Sequence, residues 1–263
     1  MIIAQLTDLH VSWPEPDPPV WSSVAALRAA VTRVLSLPAK VDVVLVTGDL
    51  TEHGHEEEYR RFAELVEPLD VPVLVVPGNH DRRETMREVF RGTRLWPWLG
   101  EGPRRWCLVR NEYPVRLIGL DTSVEGEAHG ELDSECLRWL DAVLAEAPDR
   151  PTLVFMHHPP FATGIAAMDA IGLRHPEEFA EILSRHPQVF RLLCGHVHRP
   201  VFGSFAGRSA SIGPSPWRSV GLTFATDASI TLVDESPALH MHRWFAGAGL
   251  VTHHCGLDLF GPV

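Results

Sequence analysis

Through the first 200 residues, short apolar runs alternate with longer segments in which apolar residues recur every three or four positions. The short runs predict buried strands, and the longer segments predict amphipathic helices. Strands are expected over 2–7, 41–47, 71–76, 115–120, 152–156 and 189–194. Helices are expected over 23–34, 56–66, 132–144 and 176–184, the first of them capped by Ser23. This alternation is typical of an α/β core.

After His198 the pattern changes. Short β-prone runs occupy 201–205, 229–233 and 239–244, and the turns between them are rich in glycine, proline and serine. Little of this part has helical spacing. We therefore expect two parts, an α/β core over residues 1–200 and a mostly β C-terminal segment over residues 201–263.

Five polar motifs follow the ends of apolar runs. Because ligands of open α/β sheets bind beyond the carboxyl ends of the strands, motifs that are distant in sequence can meet at one site. Their side chains supply enough carboxylate, amide and imidazole groups for two metal ions that share one bridging carboxylate. The motifs are Asp8-Leu9-His10, Gly48-Asp49, Gly78-Asn79-His80-Asp81, His157-His158 and Gly195-His196-Val197-His198.

The ligand atoms in these motifs are oxygen and nitrogen. Such a mixed set suits Zn, Fe, Mn or Co better than Ca, which prefers oxygen alone, or a structural zinc held by thiolates. The four cysteines are scattered and include no C-x-x-C pair, so neither a thiolate site nor a disulfide framework is indicated. An open pair of ions about 3.5–4 Å apart is the arrangement that hydrolyses phosphate esters.

Composition narrows the class of partner. Of the 263 residues, 45% are hydrophobic and 22% are charged, which is usual for a soluble globular chain. The net charge of -11 disfavours binding to duplex nucleic acid, whose phosphates need a basic face. The N-terminus lacks the features of a signal peptide, and no apolar run reaches the roughly 18 residues that cross a bilayer. We therefore expect a cytoplasmic protein with no membrane span.

The five motifs have the order D-x-H, G-D, G-N-H-[DE], H and G-H-x-H, in which the chain closely resembles the calcineurin-like metallophosphoesterases. The resemblance covers nearly the whole chain. Within that superfamily the sequence is most similar to class III cyclic-nucleotide phosphodiesterases and bacterial glycerophosphodiesterases. The supporting segments are 47–51, 157–160, 164–169 and 194–200.

The resemblance implies a fold and an assembly. The expected fold is α/β, a four-layer α/β/β/α sandwich with a mostly β C-terminal extension. Residues 201–263 are expected to complete the sandwich and to contribute to a contact between subunits. A homodimer or a higher even-numbered homo-oligomer is expected on the same grounds.

The resemblance also implies roles for the motif residues. One divalent metal ion would be held by Asp8, His10 and His198. The other would be held by Asn79, His157 and His196, with Asp49 bridging the two ions.

Two further residues of the third motif are expected to serve catalysis. By resemblance, His80 is not a ligand but faces the phosphate and stabilises charge in the transition state or on the leaving oxygen. Asp81 is expected to orient His80. His157 is preferred to His158 as the ligand, which leaves His158 as a supporting residue or a substrate contact.

The leading hypothesis is an enzyme that hydrolyses a small phosphodiester, a cyclic nucleotide or a glycerophosphodiester, by attack of metal-bound hydroxide. A broad-specificity phosphomonoesterase of the same superfamily is an alternative. A protein Ser/Thr phosphatase is disfavoured because the arginine of its G-D-x-x-D-R-G motif is missing after Asp49, and a nuclease is disfavoured by the acidic charge. A non-catalytic scaffold would be expected to have lost at least one ligand, and this chain retains all of them.

Several other polar residues have less clear roles. His53 and His55 are interpreted as solvated residues that cap the following helix, and the histidines outside the motifs as structural or surface residues. Asp121 and Asp169 are left open between a contribution to the site and simple packing. Two loops, 13–21 and 96–98, contain tryptophan and proline and are expected to narrow the pocket.

Overall fold

The computed structural model describes residues 1–15, 22–96 and 106–257. Its helices are α1 (Ser23–Leu35), α2 (Glu56–Val66), α3 (Arg83–Phe90), α4 (Ser134–Ala145), α5 (Ala166–Asp169) and α6 (Pro176–Arg185). Its strands are β1 (Ile2–Leu6), β2 (Val43–Thr47), β3 (Val73–Val76), β4 (Leu108–Arg110), β5 (Arg116–Leu120), β6 (Thr152–Met156), β7 (Val189–Cys194), β8 (Val201–Phe205), β9 (Arg208–Ile212), β10 (Ser219–Val220), β11 (Leu232–Val233), β12 (Ala238–Phe245) and β13 (Gly249–Gly256). Within these ranges, none of the helices is long and apolar enough to cross a membrane.

The strands form two large sheets. The first has the order β13-β12-β1-β2-β3, in which β1, β2 and β3 are parallel. The second has the order β4-β5-β6-β7-β9-β8, in which β5, β6, β7 and β9 are parallel. Each sheet therefore has a parallel centre, and the carboxyl ends of the central strands open on one edge of that sheet.

Three buried apolar clusters separate four layers. The first lies between helices α1 to α3 and the first sheet and includes Leu27. The second lies between the two sheets and includes Leu45 and Phe155. The third lies between the second sheet and helices α4 and α6 and includes Leu140 and Phe179. The order of helices, sheet, sheet and helices confirms the four-layer α/β/β/α fold.

The continuous apolar runs of the central strands are explained by burial on both faces. Along β2, Val44 and Val46 face the helices, while Val43 and Leu45 face the other sheet. A strand that is covered on both sides needs apolar residues at every position, and a parallel sheet inside a layered fold provides this cover.

The predicted elements of the core are confirmed to within two residues at each end. One detail of the first helix is wrong by one position. Its N-cap is Ser22, whose hydroxyl accepts a hydrogen bond from the Ala25 N–H at 3.0 Å, rather than Ser23. Helices α3 and α5 and strands β4, β9, β10 and β13 were not predicted.

The strands that follow residue 200 join both sheets. Strands β8 and β9 extend the second sheet, and β9 runs parallel to β7. Strands β12 and β13 extend the first sheet, and β12 runs antiparallel to β1. Of the run 229–233, only β11 forms a strand, in a short ribbon with β10.

A polar patch lies between the sheets beside β12. Gln5 accepts a hydrogen bond from Nε2 of His242 at 3.1 Å, and the other nitrogen of that ring lies 2.9 Å from the Thr252 hydroxyl. His240 faces the same gap and is fully buried. Among the described residues, neither ring nitrogen of His240 has a hydrogen-bond partner. Burial is the main reason that the pKa of His240 falls to about 4.

We expect the variant His240→Leu to lose part of the acid sensitivity of the native protein. An unfolded histidine has a pKa of about 6.5, above the folded value of about 4, so the unfolded chain binds the proton first. The contribution of neutral His240 to the free energy of unfolding is therefore complete above pH 6.5, and it declines as the pH falls towards 4. His240 alone should account for about 3 kcal/mol of that decline.

Urea unfolding at pH 7, 5.5 and 4 measures this effect. The control is His253→Leu, which changes an exposed histidine of the neighbouring strand. Equal dependence of the unfolding free energy on pH in wild type and His240→Leu would contradict the prediction.

Candidate metal centre

The seven predicted metal ligands lie in short loops at the carboxyl ends of parallel strands from both sheets. These loops meet at the gap between the sheets, and all the ligands except Asn79 are buried. The structure therefore brings together every residue of the predicted ligand set. They follow β1 (Asp8, His10), β2 (Asp49), β3 (Asn79), β6 (His157) and β7 (His196, His198).

Most of these loops contain left-handed backbone. Residues other than glycine rarely adopt a positive φ, and asparagine, aspartate and histidine do so most readily. Among the described residues, seven that are not glycine have a positive φ, and five of them are predicted ligands. Strain of this kind concentrates at functional sites. The five are Asp8 (53°), His10 (46°), Asp49 (50°), His196 (75°) and His198 (57°).

One group of ligand atoms comes from Asp8, His10, Asp49 and His198, which lie within 4.8 Å of one another. The Nε2 atoms of His10 and His198 are 3.0 Å apart. His198 Nε2 lies 3.7 Å from Asp8 Oδ1. His10 Nε2 lies 3.5 Å from Asp49 Oδ2.

A second group of ligand atoms lies on the other side of Asp49. His157 Nε2 is 3.3 Å from Asp49 Oδ2 and 3.1 Å from Asn79 Oδ1. His196 Nδ1 is 3.3 Å from the same atom of His157. The same carboxylate oxygen of Asp49 therefore faces both groups, which is the position of a bridging ligand.

The outward nitrogen atoms fix the direction of three imidazole rings. Nδ1 of His157 lies 2.8 Å from the Thr47 carbonyl oxygen, and Nδ1 of His198 lies 2.9 Å from the Arg218 carbonyl oxygen. Nδ1 of His10 lies 2.8 Å from a carboxylate oxygen of Glu52. Because these oxygens only accept, each Nδ1 donates, and in a neutral ring Nε2 then presents an electron pair to the centre.

This inward arrangement fits divalent cations. Two pairs of ligand atoms lie about 3 Å apart. One pair is Nε2 of His10 and Nε2 of His198, and the other is Nε2 of His157 and Oδ1 of Asn79. Such pairs repel unless a positive charge lies against both. The donor set, with imidazole, carboxylate and amide groups and an outer acceptor behind each of the three rings, is typical of a transition-metal site.

The pKa shifts of Asp49 and His157 also indicate a centre that favours positive charge. Burial by itself raises the pKa of Asp49, but His157 and His10 outweigh burial and hold that pKa well below its usual range. Burial lowers the pKa of His157, but Asp49 outweighs this effect and raises the pKa to about 9. The centre therefore stabilises positive charge next to Asp49.

His80 lies beside the first group with its side chain partly exposed. Its backbone N–H donates to Asp49 Oδ1 at 2.9 Å, and its Nδ1 donates to the Glu52 carbonyl oxygen at 2.9 Å. Its ring packs edge to face on the ring of His10, with 4.6 Å between the centroids. Because Nδ1 is used in the bond to Glu52, Nε2 is the ring nitrogen that can contact a substrate.

Asp81 contacts the backbone of two neighbouring loops. Its carboxylate accepts hydrogen bonds from the N–H groups of Gly78 and Leu50 and from the Tyr59 hydroxyl, at 2.9 to 3.1 Å. The ring of His80 is bonded to Glu52 instead. The carboxylate of Asp81 therefore turns back to join the loop after β3 to the loop after β2, and its role in orienting His80 stays a prediction.

His158 lies beside the second group, and its ligand atom is within 4.8 Å of those of His157 and His196. Its Nδ1 lies 2.8 Å from the Thr122 hydroxyl, and its Nε2 donates to the Ala128 carbonyl oxygen at 3.2 Å. Both ring nitrogens are thus used inside the protein. Burial lowers the pKa of His158 well below its usual value, so the ring is neutral and packs behind His157 and His196.

The other residues whose roles the sequence left undecided contact neighbouring side chains and backbone. Asp121 is fully buried and accepts a hydrogen bond from Arg83 Nε at 2.6 Å. Asp169 accepts hydrogen bonds from the backbone of the loop before α5. His53 contacts Glu58, and His55 is the N-cap of α2, as expected for capping residues. Residues 16–21, 97 and 98 of the loops expected to narrow the pocket lie outside the described ranges.

Sequence reasoning did not single out Glu52. It lies three residues after Asp49, in the same loop, and it contacts both His10 and His80. A carboxylate three positions after a strand-end ligand is the only signal in the sequence that points to it.

Comparison with known proteins agrees with this geometry. The family model described as calcineurin-like phosphoesterase matches residues 1–200. A probable glycerophosphodiester phosphodiesterase, GpdQ of Arcobacter nitrofigilis, is 37% identical and aligns over 100% of this chain and 96% of its own length. The 3',5'-cyclic adenosine monophosphate phosphodiesterase CpdA of Escherichia coli (strain K12) is 31% identical over 81% of this chain and 75% of its own length.

Solved structures share the fold. A dimetal phosphatase from Danio rerio superposes with a TM-score of 0.69 at 17% identity, over 97% of this chain and 96% of that one. Because the identity is low, this likeness concerns the arrangement of helices and sheets alone. With a family model that matches most of its length, the chain belongs to the calcineurin-like phosphoesterase family.

Proposed function

We propose that this protein is a metal-dependent phosphodiesterase that hydrolyses a small phosphodiester. The observation that carries this proposal is the position of Asp49, one oxygen of which lies 3.5 Å from His10 Nε2 and 3.3 Å from His157 Nε2. A carboxylate shared by two ligand groups is the arrangement expected for two cations that act on one phosphoryl group.

The proposed ligand sets follow the two groups around Asp49. Asp8, His10 and His198 belong to one ion, and Asn79, His157 and His196 belong to the other. Two divalent ions, Mn, Fe, Zn or Co, supply Lewis acidity towards the phosphoryl oxygens and lower the pKa of bound water. The acidic protein surrounding them is compatible with an anionic substrate because the ions reverse the local charge.

His80 is the residue proposed to act on the substrate. Because Nδ1 of His80 donates to the Glu52 carbonyl oxygen, Nε2 is the ring nitrogen that can contact a substrate. It stabilises charge on the phosphoryl group or on the leaving oxygen. Asp81 serves the same loop indirectly, by bonding Gly78 and Leu50 and so holding the backbone that carries Asn79 and His80.

A glycerophosphodiester is the preferred substrate class. The two relatives called GpdQ align over 99–100% of this chain and 95–96% of their own lengths, and therefore through the C-terminal strands. The relative called CpdA aligns over 81% of this chain. A cyclic nucleotide is the second candidate, supported by the 31% identity to CpdA.

An assembly of identical subunits is proposed through the C-terminal segment. Four large apolar side chains are exposed within a stretch of eleven residues there, which is a concentration that usually marks an interaction surface. They are Leu222, Phe224, Ile230 and Leu232. We propose a homodimer or a higher even-numbered homo-oligomer.

A reducing compartment is also proposed. None of the four cysteines forms a disulfide, and the sulfur atoms of Cys107 and Cys136 share a hydrogen bond of 3.6 Å. Thiols that remain unpaired at this distance are typical of cytoplasmic proteins. We therefore assign the protein to the cytoplasm.

The first test compares a diester with a monoester. We expect turnover of bis(p-nitrophenyl) phosphate to exceed that of p-nitrophenyl phosphate, to disappear after chelation, and to return with Mn, Zn, Fe or Co. Asp49→Ala should abolish turnover, because both ions lose a ligand. Glycerophosphoethanolamine and cyclic AMP then separate the two substrate classes. Turnover of the monoester alone would replace this proposal with a phosphomonoesterase.

The second test concerns His80. We expect His80→Ala to retain both ions and to lose about 100-fold or more in kcat on glycerophosphoethanolamine, whose leaving oxygen needs stabilisation. The loss on bis(p-nitrophenyl) phosphate should be much smaller, because nitrophenolate leaves readily. His53→Ala, which changes an exposed histidine in the same region, is the control. Metal analysis that finds His80→Ala without its ions would disprove the assigned role.

A further inference from the structure

Glu52 connects two histidines that have different roles in the proposed site. One carboxylate oxygen lies 2.8 Å from Nδ1 of His10, and the other lies 3.9 Å from Nδ1 of His80. The carbonyl oxygen of Glu52 accepts the hydrogen bond of that same His80 nitrogen at 2.9 Å. One residue therefore contacts the outward side of both rings.

The outward nitrogen of His10 has a different kind of partner from the outward nitrogens of His157 and His198. The outward nitrogens of His157 and His198 donate to backbone carbonyl oxygens, which are fixed by the strands and loops that carry them. The outward nitrogen of His10 donates to a side chain. A carboxylate in this position fixes the orientation of a metal-binding imidazole and its tautomer.

The backbone of Glu52 is held without help from its side chain. Its N–H donates to the Val11 carbonyl oxygen at 3.1 Å, and Val11 forms a parallel bridge with Thr51. The carbonyl bond to His80 therefore belongs to a loop that the main chain already fixes. Substitution of the side chain removes the contact with His10 and leaves the contact with His80.

The ring of His80 depends on His10 as well. The two rings pack edge to face with 4.6 Å between their centroids. An imidazole of His10 that loses its outward partner gains freedom to rotate about its side-chain bonds, and the packing surface under His80 moves with it.

We propose that Glu52 is a positioning residue that holds the His10 imidazole with Nε2 towards the metal and thereby supports the ring of His80. This inference rests on the proposed function for its meaning, but its main test measures metal binding and not turnover. Its essential element is a hydrogen-bond acceptor within reach of Nδ1 of His10. The negative charge of Glu52 is not essential to this role.

Three variants separate reach from charge. Glu52→Gln keeps an acceptor oxygen within reach and removes the charge. Glu52→Asp keeps the charge and withdraws the carboxylate by one methylene group. Glu52→Ala removes both, and Glu57→Ala, which changes an exposed carboxylate in the first turn of α2, is the matched control.

The readout is the affinity for Co(II) or Mn(II), measured by calorimetry or by competition with a chelator on the full chain. We expect Glu52→Ala and Glu52→Asp to bind one of the two ions about 10- to 100-fold more weakly. Glu52→Gln and Glu57→Ala should bind both ions within a few-fold of wild type. If circular dichroism shows that Glu52→Ala is not folded, the comparison of Glu52→Gln with Glu52→Asp provides the test.

Two results would overturn the inference. One is unchanged affinity for both ions in Glu52→Asp and, where it folds, Glu52→Ala. The other is wild-type affinity in Glu52→Asp together with loss in Glu52→Gln, which would assign the effect to charge. Failure of the proposed function is distinct, since wild-type protein would then bind two ions without hydrolysing diesters, or would not bind them.

Discussion

The convergence of side chains from both sheets on the gap between them is the constraint on which this structure depends. Nitrogen and oxygen atoms from the ends of four strands point at one another at 3.0 and 3.1 Å. Both sheets must therefore end at the same level. The carbonyl oxygen of Thr47 helps to set that level, because it belongs to the first sheet and accepts the hydrogen bond of His157 from the second. A methyl group on Gly195 would lie 2.1 Å from the Thr7 hydroxyl, so the loop after β7 passes where only glycine fits.

The sequence predicted the parts of the fold in which a local pattern and the tertiary environment agree. Strand β2 is apolar at its first four positions because both of its faces are covered, and its run was recognisable for that reason. Helix α3 was not recognisable, because only Met86 and Phe90 of its eight residues are buried. Strand β13 lies at the edge of a sheet and is largely exposed, so its pairing with β12 is not encoded by an apolar run.

In the site, too, the sequence reveals the positions of the candidate ligands but not the contacts of the side chains around them. The candidate ligands were recognisable because each follows a strand-like run and because their motifs resemble those of a known family, and strand ends converge in a layered α/β fold. The hydrogen bonds that surround these candidate ligands were not recognisable from the sequence. Asp81 is adjacent to His80 in the chain, yet its carboxylate points back to Leu50 and Tyr59. Glu52 is 42 residues from His10 and 28 residues from His80, and contacts both. The direction of a side chain in a tight loop depends on the φ and ψ of that loop, which neighbouring residue types do not determine.

The left-handed loops have a consequence for any attempt to make this protein more resistant to heat. Five positions with φ between 46° and 75° each carry a conformational cost of about 1 kcal/mol or more, and the usual remedy at such positions is glycine. Glycine would relax the backbone and delete the proposed coordinating group in the same step. Thermal tolerance and reactivity thus compete at these five residues, and a heat-resistant variant has to obtain its gains from helices and strands remote from the gap.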